Sequence, residues 1–159
     1  MTDLNSIRRV FEFRSHTIEH LELTVDSERL LCKDTQIELK THLGKSWMLS
    51  EDQKTGIVRL LCRIQSDSEG KDVSALVLSL KLQGFFGFDD EDKLPVEIKR
   101  ELLGRNAVSV LFPYLRSAIS TITQAAGIQP IVLPVINPTA IDEIGHSSAG
   151  SDKSADDNE

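Results

Sequence analysis

The chain has 159 residues, 40% of them hydrophobic, and a net charge of −7 at neutral pH. Its length fits one domain, its acidic balance excludes the basic stripe that nucleic-acid binding needs, and no run of about 18 apolar residues offers a membrane span. No apolar stretch follows the first charges, so no secretory leader is expected; two cysteines, Cys32 and Cys62, make neither a disulfide framework nor a CxxC metal pair, which fits reduced thiols in a cytoplasmic protein.

Residues 1–6 read as a polar arm. The next stretch is mixed: Val10, Phe11 and Phe13 are apolar, and then Leu21, Leu23 and Val25 alternate, which predicts a strand over about residues 16–26. Within it, His16-Thr17-Ile18-Glu19-His20 matches the inverted zinc-protease signature. That chemistry needs a helix, on which two imidazoles one turn apart share a metal. In a strand they lie ~13 Å apart on one side, so no metal site is expected, and His42 and His146 read as solvated. Thr35–Leu43 alternates, with Ile37, Leu39, Thr41 and Leu43 on one face, and Trp47 and Met48 fall in the following connection. After a polar turn at 50–55, Gly56–Ser66 turns Val58, Leu60, Cys62 and Ile64 inward. Ser66–Lys71 is rich in turn-forming side chains, and Leu76, Leu78, Leu80 and Leu82 then share one face of a long strand. Four strands joined by polar turns predict an α+β fold: a four-stranded antiparallel meander covered on one face by a long helix. Its two edges need protection, for which pairing with a second subunit is one solution.

Gly84-Phe85-Phe86-Gly87-Phe88 ends the last strand, followed by an acidic loop at Asp89–Asp92. Pro95–Leu103 predicts a short helix closed by Gly104. A main helix follows, with an apolar stripe at Val108, Leu111, Leu115, Ile119, Ile122 and Ala126 and a face of small residues suited to close approach by another subunit. Pro113 predicts a kink or break near Phe112. Gly127 stops the helix, and Pro130, Pro134 and Pro138 hold Ile131, Val132, Leu133, Val135 and Ile136 on a segment that is neither helix interior nor central strand. Such a segment must be covered or must cover something else. Thr139–Ile144 supports one or two helical turns at most. Residues 1–144 are expected as one domain and 145–159 as a disordered acidic tail.

The run Val110–Thr123 with its Leu111-Phe112-Pro113-Tyr114 core, the pattern Arg116, Ile119, Ser120, the loop Pro130, Leu133, Pro134, Val135 and the upstream Leu82–Phe88 resemble the SecB protein-export chaperone family. Residues 70–140 carry this resemblance, and Ile7–Phe11 is similar to the family's opening segment. No Gly-rich phosphate loop, CxxC pair or nucleophile elbow is present, so no enzyme and no cofactor are expected. Three apolar pieces lack an obvious internal use: Phe85, Phe86 and Phe88; Leu111, Phe112 and Tyr114; and Ile131, Val132, Leu133, Val135 and Ile136. In the SecB family these regions border a groove that holds unfolded preproteins. The resemblance further implies a homotetramer, a dimer of dimers with eight-stranded sheets and the helices between them. It implies a sheet face that docks the SecA translocase through carboxylates; Val77 and Ser79, with Glu19 and Glu22, are the matching positions here. Two alternatives stand beside export: a SecB-like chaperone dedicated to a toxin–antitoxin pair, and a structural or regulatory oligomer whose apolar loop makes only subunit contacts.

Overall fold

In the computed structural model, residues 10–31, 37–67, 74–89 and 94–144 are described. Cys32, the arm at 1–6 with Ile7–Arg9, most of the Ser66–Lys71 turn, Asp90–Asp92 and the tail from 145 lie outside those residues. Five strands, β1 (Phe11–Val25), β2 (Leu39–Leu49), β3 (Thr55–Ser66), β4 (Leu76–Phe88) and β5 (Asp142–Glu143), form one sheet in the order β1-β4-β3-β2-β5. The expected four-stranded meander is therefore corrected. β2, β3 and β4 do form consecutive antiparallel pairs, but β1 crosses to the far side of β4 rather than pairing with β2. The short β5 adds in parallel at Gly44 and Lys45, making the sheet mixed. A single helical turn, α1 (Ser27–Leu31), starts the crossover after β1, and the backbone N–H of Arg29 donates to the Asp26 carboxylate.

β1 begins about five residues before the sequence predicts, for an identifiable reason. Two bulges interrupt its pairing with β4, between Phe13 and Ser15 and between Ile18 and His20. Each extra residue inverts the inside–outside alternation. Phe11, Phe13, His16, Ile18, Leu21, Leu23 and Val25 consequently stand opposite Phe88, Phe86, Gly84, Leu82, Leu80, Leu78 and Leu76, all on one face. No unbroken period of two links these positions. The bulges also put His16 and His20 on opposite faces of the sheet rather than on one side.

β2 is likewise displaced, running through Trp47 and Met48 instead of ending at Leu43. The Gly44-Lys45-Ser46 stretch looks like a strand end in sequence, yet Lys45 is 6% exposed. Its ammonium donates to the carbonyls of Gly104 (3.2 Å) and Pro138 (3.1 Å). β3 and β4 behave as predicted: Val58, Leu60, Cys62, Ile64, Leu76, Leu78, Leu80 and Leu82 are all buried.

The helical layer is α2 (Val96–Glu101), a π-helical segment Leu102–Ala107 and α3 (Val108–Ala125), in unbroken succession. Gly104 does not close a short helix, because the wider π turn carries the chain onward. It admits Trp47 instead, whose indole nitrogen would stand 3.3 Å from an added Cβ. Nor does Pro113 break α3, which runs through it with the ring exposed. Val108, Leu111, Phe112, Leu115 and Ile119 pack on the inner faces of β3 and β4. Leu111 sits so tightly over Gly84 that an added Cβ there would collide with both its methyl groups.

Cys62 lies in this core, and burial pushes its thiol from an ordinary value of 9.0 up to about 12. The folded thiol stays neutral where the unfolded one ionises. Its contribution to stability is therefore intact below pH 9 and lost between pH 9 and 12. In Cys32→Ser protein at pH 8, Cys62 should resist an alkylating reagent until the chain unfolds, and alkylation followed by mass spectrometry reads this directly.

Candidate functional site

The three phenylalanines at the end of β4 do not form one cluster. Phe86 and Phe88 are inward and buried, while Phe85 faces the opposite side of the sheet, between Ser15 and Ile57. The phenylalanines of β1 complete the inner group. Phe11 stacks on Phe86 with ring centroids 5.1 Å apart, and Phe13 meets it at 5.3 Å. Phe86 and Phe88 thus wall the core beneath the helix end rather than solvent. Leu111 and Phe112 are buried as well, against the sheet.

Tyr114 is different: it is 40% exposed, and its ring lies over Phe13 (5.4 Å) and His16 (4.4 Å). Farther along the same face of β1, Ile18 and Leu21 are 43% and 45% exposed, because α3 covers β3 and β4 but leaves this edge strand open. Together they make an apolar flank on the β1 side of the helix. Sequence reasoning reached Tyr114 but missed Ile18 and Leu21, whose shared face depends on the second bulge.

On the other side of the helix runs a strap, residues 128–144. Gly127, at φ 78°, supplies the left-handed turn that ends α3, and the N–H of Ile128 closes on the Thr123 carbonyl. The strap then returns along the helix. The Ile131 N–H donates to the Thr123 hydroxyl (2.9 Å), Arg116 Nε donates to the Leu133 carbonyl (2.7 Å), and Lys45 Nζ donates to Pro138. Arg116 lies two residues past Tyr114, about 200° around the helix, so strap and β1 flank occupy different sides. Asn137 caps a single 3-10 turn at Pro138–Ala140, within the one or two turns expected there, and β5 then joins β2. Along this strap Leu133 and Ile141 are buried, and Ile131 and Ile136 half-buried. Val132 and Val135 stand 65% and 81% exposed. The prolines favour an extended chain with about three residues per turn, in which Val132 and Val135 share the outward side while Leu133 and Ile136 share the side that holds the strap down.

The outer face of the sheet carries the remaining candidates. Glu22 pairs across to Ser79, and Thr24 to Val77. Glu19 occupies the second bulge, where its carboxylate meets Arg59 Nε at 3.2 Å. Ser79 is flanked on β3 by Arg63, so basic groups stand beside the few carboxylates on this surface.

The model of the family described as preprotein translocase subunit SecB matches residues 22–143. An uncharacterized protein of Methanocaldococcus jannaschii is 27% identical over 126 residues, which is 79% of this chain and 78% of that protein. A protein-export protein SecB of Anaplasma phagocytophilum is 32% identical over 94 residues, covering 58% of this chain and 59% of its own length. Among solved structures, a Mycobacterium tuberculosis SecB-like chaperone in complex with a peptide from the HigA1 antitoxin superposes with a TM-score of 0.63 at 11% identity, over 82% of this chain and 94% of that one. That likeness establishes a shared fold. The family match runs from Glu22 in β1 to the end of β5, taking in the helix and the strap as far as Glu143, and the chain belongs to the SecB family, whose members are chaperones rather than enzymes.

Proposed function

We propose that this protein is a holdase that binds extended apolar stretches of unfolded preproteins and keeps them competent for export. One observation carries the reading: Val132 and Val135 are held out to solvent by a strap whose own backbone is fixed to the helix. On the opposite side of that helix, Ile18, Leu21 and Tyr114 supply a second apolar flank. Exposed aliphatic side chains on an anchored backbone lose little conformational entropy when a client covers them. Ile131 and Ile136 extend the strap's surface, Phe86, Phe88, Leu111, Phe112 and Leu133 support these surfaces from beneath, and Phe85 stands apart on the outer face of the sheet. Three or four client side chains of leucine or phenylalanine size contribute about 1.5–3 kcal/mol each. After the cost of ordering the client, this supports a Kd of roughly micromolar. Contacts of this kind read apolar content rather than one sequence.

The assembly we propose is a homotetramer built as a dimer of dimers. β1 has no partner on its outer edge among the described residues, and an unpaired edge of that length favours pairing with a second copy. Delivery to SecA would use the outer face around Glu19, Glu22, Val77 and Ser79. The Glu19–Arg59 ion pair and the neighbouring Arg63 favour a second reading, a chaperone dedicated to one toxin–antitoxin pair, as the structural neighbour's antitoxin peptide also suggests.

Titration of the protein with a carboxymethylated, permanently unfolded polypeptide, monitored by calorimetry, tests the holdase reading. Saturable binding with a negative heat-capacity change is expected; no binding at tens of micromolar would leave an oligomer whose apolar surface serves only subunit contacts. Immobilised SecA and a purified antitoxin, tested side by side, separate the two chaperone readings.

A further inference from the structure

Charges on the outer face of the sheet are sorted by strand. β2, β3 and β4 carry no carboxylate along their length, although the net charge of the chain is −7. Glu19 and Glu22 are both on β1, where they meet Arg59 (3.2 Å) and His20 (4.0 Å), and Lys40 meets Asp67 just beyond β3 (4.0 Å). Among the described residues, Arg63 and Lys81 pair with no carboxylate. Arg63 is exposed and Lys81 half-buried, and both face outward because Cys62, Ile64, Leu80 and Leu82 beside them are buried inward. Arg63 stands opposite Ser79 and Lys81 opposite Leu61, so the four form a square with the two cations on one diagonal. Such diagonal neighbours lie about 7–8 Å apart, and alternate side chains of an extended chain repeat every ~6.6 Å. His42, the register partner of Arg63 on β2, borders the square without adding negative charge.

We propose that this square docks an extended acidic segment of a partner polypeptide, one with Asp or Glu on alternate residues. One carboxylate accepts from the Arg63 guanidinium and the next from the Lys81 ammonium, with Leu61 and the Ser79 hydroxyl beside them. Hydrogen bonds between ionised groups are the shorter and stronger class, and complementary charge speeds the encounter and selects the partner. The inference goes beyond the holdase reading, whose apolar surfaces lie on the helix side of the sheet, and it names the chemistry of what docks on the outer face. The competing occupant is the end of the chain itself. Ile144 lies over Gly44, which shares a cross-strand row with Leu61 and Lys81, and Asp152, Asp156, Asp157 and Glu159 follow in sequence.

Titration of the full chain with a synthetic peptide of alternating Glu and Thr, read by fluorescence anisotropy beside its Gln/Thr counterpart, tests this. Saturable binding is expected that weakens with added salt and is roughly tenfold or more weaker for the Gln/Thr peptide. Arg63→Gln with Lys81→Gln should lose the acidic peptide to the same degree, yet keep the wild-type thermal midpoint and affinity for an unfolded, acetamide-blocked polypeptide. Arg63→Gln alone, at an exposed position, gives a smaller loss should the pair disturb the fold. Equal binding of both peptides, or of the acidic peptide by variant and wild type, overturns acidic docking and leaves the holdase reading standing. Failure of the wild type to bind the unfolded polypeptide, with the acidic peptide still bound, strikes the holdase reading and supports this site. Tighter binding of a single-stranded oligonucleotide of matching charge overturns a polypeptide partner. A chain carrying Asp152→Asn, Asp156→Asn, Asp157→Asn and Glu159→Gln should bind the acidic peptide as the wild type does. Roughly tenfold tighter binding by that chain gives the face to its own terminus and overturns the partner assignment.

Discussion

Val132→Asp combined with Val135→Asp should weaken binding of an unfolded polypeptide between tenfold and a hundredfold and leave the thermal midpoint within a few degrees of wild type. Both valines are mostly exposed, so the folded chain loses little packing when they change, and surface substitutions of this kind usually alter stability by less than about 0.5 kcal/mol. A client side chain that covers a valine in the wild type meets a carboxylate in the variant, and must either strip it of water or forgo the contact. Losing one or two anchors of about 1.5 kcal/mol each corresponds to that range. Leu133→Asp is a poorer probe of the surface because Leu133 is 2% exposed. A buried carboxylate there would release the strap and lower stability along with any effect on binding.

The second large effect is on the fold. Phe86→Ala should cost about 3–5 kcal/mol, readable as a lower midpoint in urea at unchanged slope. Phe86 is fully buried and sits between Phe11 and Phe13, so its removal opens a cavity under the strand that carries both bulges. Phe85→Ala, one residue away but on the outer face and half-buried, should cost much less. A reversal of that order would contradict the face assignments on which the rest depends. Loss of Phe86 should also loosen Tyr114, whose ring rests on Phe13.

Much of the core was legible in the sequence because β3 and β4 are regular and covered on one side, so period-two alternation is undisturbed along both. What escaped did so for local physical reasons. The bulges of β1 invert the alternation twice, splitting one apolar face into short fragments that each look like noise. Lys45 reads as solvated because a lysine in sequence carries no sign of two carbonyls waiting for it; the π-helical turn and the end of the strap supply them. Gly104 looks like a helix stop, and its missing side chain instead admits an indole. Strand β5 is too short for any periodic signal. The strap itself was identified from its prolines as a segment that must cover something, but proline spacing does not say which aliphatic side chain turns inward. Backbone anchors at Thr123 and Arg116 decide that Leu133 is buried and its neighbours exposed.

Methyl-resolved NMR during titration with an unfolded polypeptide tests the central claim most directly, since it reports which aliphatic groups the client touches. Saturable shifts are expected at the methyls of Val132 and Val135 and at Ile18 and Leu21 on the far side of the helix, with Val58 and Leu60 unmoved. Saturable binding that leaves the strap and β1 methyls unchanged, or shifts confined to the outer face of the sheet, would contradict it.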